Sequence, residues 1–153
     1  MRRERTKKWR SWVMSRIRGK DTGPEMELRR LLREANVRFI ANDRSLPGTP
    51  DVVISSKRRA VFVHGCFWHS HHCRRGARPK SNARFWNEKL DANRTRDMKN
   101  RAALRKAGWT VSVIWQCSLR RDIARLMSAL IQARSRLGSR LKHRDKLSRK
   151  KAS

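Results

Sequence analysis

The run VFVHGCFWHSHHC, residues 61–73, sets four histidines, two cysteines, two Phe and a Trp in and directly behind a β-branched stretch. A strand that gives way to so many ligand groups cannot end inside an apolar core, because each buried donor or acceptor needs a partner. The fold must carry this strand end to an open edge, where the side chains can meet water, metal or substrate. A second β-branched run, PDVVIS, contains Asp51 directly after Pro50, and the polar SSKRR joins it to RAVFVHG as a hairpin. Two strand ends then meet at one place, one bearing Asp51 and the other His64.

The rest of the chain builds around that hairpin. DTGPEMELRRLLREAN has Asp21 or Thr22 as a cap, Pro24 in the first turn and Leu28, Leu31, Leu32 and Ala35 at helical spacing. VRFIAN reads as a strand preceding the hairpin, so three strands form an antiparallel meander. NARFWNEKLDANRTRDMKNRAALRKAG is a long polar helix that stops at Gly108, and WTVSVIWQC is a fourth strand. A helical crossover between two strands places them parallel in one sheet. LRRDIARLMSALIQARSRL puts Ile123, Leu126, Met127, Leu130 and Ile131 on one face, which predicts a helix covering that sheet. The fold class is α/β, a mixed four-stranded sheet flanked by helices, and no internal repeat interrupts it.

Charge narrows the partners. The 153 residues hold 41 Lys or Arg against 12 Asp or Glu, a formal net charge of +29 that draws polyanions, above all nucleic acid. No run of about 18 apolar residues exists to span a membrane, and MRRERTKKWRSW lacks the apolar stretch of a signal peptide. The expected setting is cytoplasmic, with a monomeric chain. Residues 1–20 form a basic arm expected to contact DNA, 21–137 the folded domain, and 138–153 a basic tail with too few apolar residues to fold alone.

The chemistry gathers in few residues. Asp51 is suited to hold a divalent cation, since Mg²⁺ takes one or two carboxylates and leaves its other positions to water and phosphate oxygens. Cys66, Cys73 and Cys117, with one of the nearby imidazoles, can make a closed Zn²⁺ site; free buried thiols among solvated histidines are the alternative. His64 and His69 are then left for proton transfer at neutral pH. Phe67 and Trp68 cannot both enter the core, so they pack beside the zinc site or act as a wedge between DNA bases.

The segments MSRIRGKDTGPE, SLPGTPD, VFVHGCFWHSHHC, FWNEKLDANRTRD and GWTVSVIWQCSLR together closely resemble the very-short-patch repair (Vsr) DNA mismatch endonucleases, over residues 14 to about 135. The resemblance implies a restriction-endonuclease-like core with a structural zinc. It also implies Mg²⁺-dependent nicking of double-stranded DNA on the 5′ side of the thymine in a T:G mismatch left by deamination of 5-methylcytosine. The implied functional partners are a cytosine-5 DNA methyltransferase and short-patch repair proteins.

Carried over by position, the resemblance makes Asp51 and the backbone carbonyl of Val63 the Mg²⁺ contacts and Glu25 a carboxylate reaching the metal waters. His69 becomes the base for the attacking water and His64 its companion. Zinc falls to Cys66, His71, Cys73 and Cys117. Met14, Phe67 and Trp68 match residues inserted beside the mismatch, and Lys89 and Asn93 match positions near the mismatched pair. The chain departs from the wider restriction-enzyme pattern, P-D followed by (D/E)-x-K: Phe62, Val63 and His64 stand where the second half would fall. A basic zinc module that binds nucleic acid without cutting is one rival, and a nuclease of the same fold with another DNA substrate is a second. Asp51, Glu25 and His69 weigh against the first, since a carboxylate in a positive groove repels phosphate unless a metal intervenes.

Overall fold

The computed structural model describes residues 19–132; Met14, most of the basic arm and the basic tail lie outside the described residues. Helix α1 (Gly23–Glu34) is followed by β1 (Ile40–Ala41), β2 (Val52–Ile54), β3 (Arg59–His64), α2 (Ala83–Lys106) and β4 (Thr110–Trp115). Residues 119–132 are helical and are labelled α3. The sheet order is β1-β2-β3-β4. β1 and β2 pair antiparallel, as do β2 and β3, while β3 runs parallel to β4 from Arg59 opposite Thr110 to His64 opposite Trp115. The meander and the crossover expected from the sequence are both present.

Two helix ends are closed by the same device. After α1, Asn36 adopts φ +53°, with Asn36 N–H donating to Arg33 and Val37 N–H to Leu32. After α2, Gly108 adopts φ +79°, with Gly108 N–H donating to Arg105 and Trp109 N–H to Leu104. Both patterns satisfy the last helical carbonyls through a left-handed residue just beyond the cap. Arg58, itself at φ +43°, seals the second end by donating to the carbonyls of Ala107 and Gly108.

The sheet is covered on both faces. Leu28 and Leu32 of α1, Val52 and Ile54 of β2, Val61, Ile114, and Ile123, Leu126 and Leu130 of α3 form one buried cluster. Ala60, Phe62 and Leu104 form the other, with Leu46, Trp109 and Val111 packed against it. Alternate residues of β3 therefore serve opposite faces, as the two-residue period requires. Two expectations need correction. Ile131 is 63% exposed, because at eight residues beyond Ile123 it has rotated to the edge of the apolar stripe. VRFIAN contributes only a two-residue edge strand, both residues exposed, because Asn42 turns into the left-handed region at φ +50°. No helix among the described residues is long and apolar enough to cross a membrane.

Truncating Leu32, which is fully buried, to Ala is expected to cost about 2–5 kcal/mol in denaturant unfolding. The same truncation of Met98, 57% exposed, should stay within about 0.5 kcal/mol.

Candidate active site and metal centre

The β2–β3 pairing places Asp51, one residue before β2, beside the end of β3. Val63 N–H donates to Asp51 Oδ2 at 2.7 Å, so the carboxylate is tied to the neighbouring strand. Burial pushes the Asp51 carboxyl up to about 6; the Val63 bond opposes this, Glu25 adds to it, and Arg29 and His69 counter it. Oδ1 has no hydrogen-bond partner among the described residues. Enclosure is the main cause of this shift, and a divalent cation bound at the carboxylate would offset it. It lines a cleft of about 420 Å³ together with Glu25, His64, His69, Asp97 and Arg101.

The two expected histidines lie face to face, ring centroids 3.7 Å apart and planes 7° from parallel. His64 is buried and its Nδ1 has no partner among the described residues. Burial, then the neighbouring His69, push it down to about 3, so it is a neutral imidazole at neutral pH. His69 Nδ1 lies 2.5 Å from Asp97 Oδ2. Burial disfavours ionisation of Asp97, but the hydrogen bond and charge of His69 outweigh it and hold the carboxyl below its ordinary range. In the neutral form of His69, an ionised Asp97 favours the tautomer with its proton on Nδ1, which leaves Nε2 as the acceptor. His64, His69 and Asp97 bring ligand atoms within 4.8 Å of one another. Stacked rings nevertheless aim their in-plane lone pairs along parallel lines, so no one ion can lie in both ring planes. The arrangement suits proton transfer better than chelation.

Asp97 was not among the residues singled out from the sequence. A signal existed: Lys89, Asn93 and Asp97 follow one another at four-residue steps, one stripe of α2. Arg29 was missed as well. Its guanidinium donates to Asp21 Oδ1 at 2.5 Å, Glu25 Oε2 at 3.3 Å, Asn42 Oδ1 at 3.2 Å and the Asp51 carbonyl at 3.3 Å. Glu25 reaches the cleft, but its oxygens are already engaged. Oε2 accepts Asp21 N–H and Arg29, and Oε1 accepts the Thr22 hydroxyl. Neither Asp21 nor Thr22 caps α1 with its side chain; Glu25 reaches back to both instead.

Cys66, His71, Cys73 and Cys117 converge, their ligand atoms all within 4.8 Å of one another. Cys117 Sγ lies 3.4 Å from His71 Nδ1, although the two are on separate elements. Burial and the neighbouring thiols push Cys66 up to about 11, whereas His71 and Cys66 draw Cys73 down to about 6. Three unpaired thiols and an imidazole this close fit a tetrahedral zinc site. Gly76 is required beside it, because a Cβ there would lie 1.9 Å from the His71 carbonyl oxygen. His71 is the imidazole of this set; His72 is exposed.

Phe67 and Trp68 are both half-buried and enter neither core cluster. They meet edge to face at 5.1 Å, and Phe67 meets Trp86 of α2 at 5.2 Å. The Lys89 ammonium lies 5.5–5.9 Å from the rings of Phe85, Trp86 and Trp68. Asn93 donates to the Trp68 carbonyl at 3.2 Å. The structure thus gathers four of the five expected DNA-contacting residues into one aromatic group; the fifth is Met14.

A family model described as DNA mismatch endonuclease Vsr matches residues 4–75. The type II nicking enzyme V.XorIIP of Xanthomonas oryzae is 49% identical over 110 residues, covering 72% of this chain and 81% of that protein. The type II nicking enzyme V.NmeAIP of Neisseria meningitidis is 45% identical over 111 residues, 72% of this chain and 79% of its relative. The DNA mismatch endonuclease Vsr of Escherichia coli is 41% identical over 111 residues, 72% of this chain and 71% of that enzyme. With relatives 41–49% identical over 72% of its length, the chain belongs to the Vsr family of DNA mismatch endonucleases.

Proposed function

We propose that this protein is a DNA endonuclease that nicks one strand 5′ of the thymine in a T:G mismatch, opening the site of a deaminated 5-methylcytosine to short-patch repair. The observation that carries the reading is the clamped, desolvated Asp51 carboxylate in one cleft with the His69–Asp97 pair. The sheet and its flanking helices are consistent with a restriction-endonuclease-like core. Asp51 and the Val63 carbonyl would hold Mg²⁺, and Cys66, His71, Cys73 and Cys117 would hold Zn²⁺ as a structural ion. The fit rests on the desolvated Asp51 carboxyl and on the converging thiols. When bound, magnesium supplies positive charge against the phosphodiester in the transition state.

The protein's own groups do the rest. His69 Nε2 accepts the proton of the attacking water, and Asp97 stabilises the imidazolium that results. The new O–P bond forms as the P–O3′ bond breaks, leaving a 5′-phosphate and a 3′-hydroxyl protonated from solvent. His64 stays neutral and supports the His69 ring through its face, since burial denies it the charge. Phe67 and Trp68, backed by Trp86, form the wedge: a mispaired step has lost part of its stacking, so an apolar side chain opens it at least cost. Lys89 adds positive charge beside that wedge. A cytosine-5 methyltransferase is the implied source of the modified base, and the bases flanking the mismatch define the natural substrate.

The reading is tested by nicking of end-labelled duplexes, one with a single T:G pair and one fully paired, with Mg²⁺ supplied or chelated. Asp51→Ala should abolish nicking and keep T:G binding; full activity in that variant sinks the mechanism. Gly76→Ala should lower zinc content and folded yield together, measured by metal analysis and circular dichroism, because the cluster loop cannot close around the added methyl.

A pH effect follows from Asp51. Its carboxyl titrates near 6 in the folded protein against 3.8 ordinarily, so between those values the folded state holds the extra proton and stability falls as pH rises. In chelator, Asp51→Asn should therefore gain on the wild type from about pH 4 to pH 7, by on the order of 2 kcal/mol in denaturant unfolding. Equal curves would show that Asp51 carries no such strain.

A further inference from the structure

Arg29 is the most enclosed cation among the described residues, 4% exposed on the inner face of α1. A guanidinium in that position is costly unless its donors are matched and its charge balanced. Its two terminal nitrogens reach four chain segments: Asp21 ahead of α1, Glu25 in its first turn, Asn42 after β1, and the main chain of Asp51 before β2. Its Nε is buried without a partner, so the network is retained at a cost to stability. The Asp51 carbonyl receives both Arg29 and the N–H of Asn42, each at 3.3 Å. On its other side, the same residue's carboxylate accepts Val63 N–H at 2.7 Å. Asp51 is therefore gripped at both ends of one residue, main chain by Arg29 and side chain by β3. Glu25 is fixed by the same guanidinium, sharing Oε2 between Arg29 and Asp21 N–H.

We propose that Arg29 is a positioning residue for nicking: with Nη1 anchored on Asp21, its Nη2 holds the Asp51 peptide and the Glu25 carboxylate in the orientation the cleft needs. The proposal rests on the reading of Asp51 as the catalytic metal carboxylate. Lysine cannot do the same work, because its single ammonium nitrogen cannot stay anchored on Asp21, as Nη1 does, while another reaches Glu25, Asn42 and the Asp51 carbonyl, as Nη2 does. The fixed positive charge also favours the ionised form of Asp51, the form able to take a cation.

The test uses the full chain and two variants, Arg29→Lys, which keeps the charge, and Arg29→Met, which removes it. Amide hydrogen exchange followed by NMR in the absence of divalent metal reads the positioning directly. In both variants the Val63 amide should exchange at least tenfold faster, while the amides of Val53 and Ile114 keep their wild-type protection. In Mg²⁺, kcat for nicking a T:G duplex should fall at least tenfold with the duplex Kd changed less than twofold. Should Arg29→Met fail to fold, Arg29→Lys decides alone. Unchanged Val63 exchange with unchanged kcat overturns the proposal. So does faster exchange at all three amides together, since Arg29 is then only a structural brace. Asp51→Ala separates the two levels: full nicking there removes the parent reading, whereas the Val63 exchange in the Arg29 variants reports on positioning either way.

Discussion

The hydrogen bond from Val63 N–H to Asp51 Oδ2 joins the two strands where pairing gives way to chemistry. Everything else in the cleft is placed relative to it. Because β2 and β3 are neighbours, the bond requires only that the β2–β3 hairpin keep its register, Val52 opposite Val61. A one-residue slip would turn Asp51 to the opposite face of the sheet and away from Val63 N–H. The apolar clusters on both sides of the sheet fix that register, so the packing of Val52, Val61 and Phe62 and the orientation of one carboxylate are the same problem.

Much of this was legible in the sequence for a definite reason. The β-branched runs, the Pro24 start and the Gly108 stop report local preferences, and the structure honours them. The thiol cluster was legible because an odd number of cysteines crowded with histidines has few uses besides metal binding. Side chains whose roles depend on a partner far along the chain were harder. Asp97 reads as one more acid on a polar helix until His69 is seen beside it, 28 residues earlier in the chain. Arg29 reads as one of 41 basic residues, and only enclosure distinguishes it. Glu25 was found, yet its engagement with Asp21, Thr22 and Arg29 could not be read from its spacing. Ile131 and the short β1 show the opposite limit: periodicity names a face or a strand without saying where its edge lies.

The electrostatics of the cleft follow from the same enclosure. In a chain with a net charge of +29, Asp21, Glu25, Asp51 and Asp97 gather around a guanidinium and an imidazole. Lys20, Arg96 and Arg101 line the same cleft, so acidic and basic groups stand side by side in it, and the Asp97 carboxylate holds its imidazole partner through His69 Nδ1.

Helix α2 has 24 residues, of which only Leu90 and Leu104 are buried, yet it bears Lys89, Asn93 and Asp97. Its placement comes from its ends. The Arg58 seal and the left-handed Gly108 hold one, and near the other the Trp86 ring is wedged against Phe67. The helix behaves as a beam resting on two supports, with its outer side carrying no weight. Substitutions on that outer side leave both supports in place, so the spacing of Asp97 from His69 is insulated from whatever the exposed face of the helix carries.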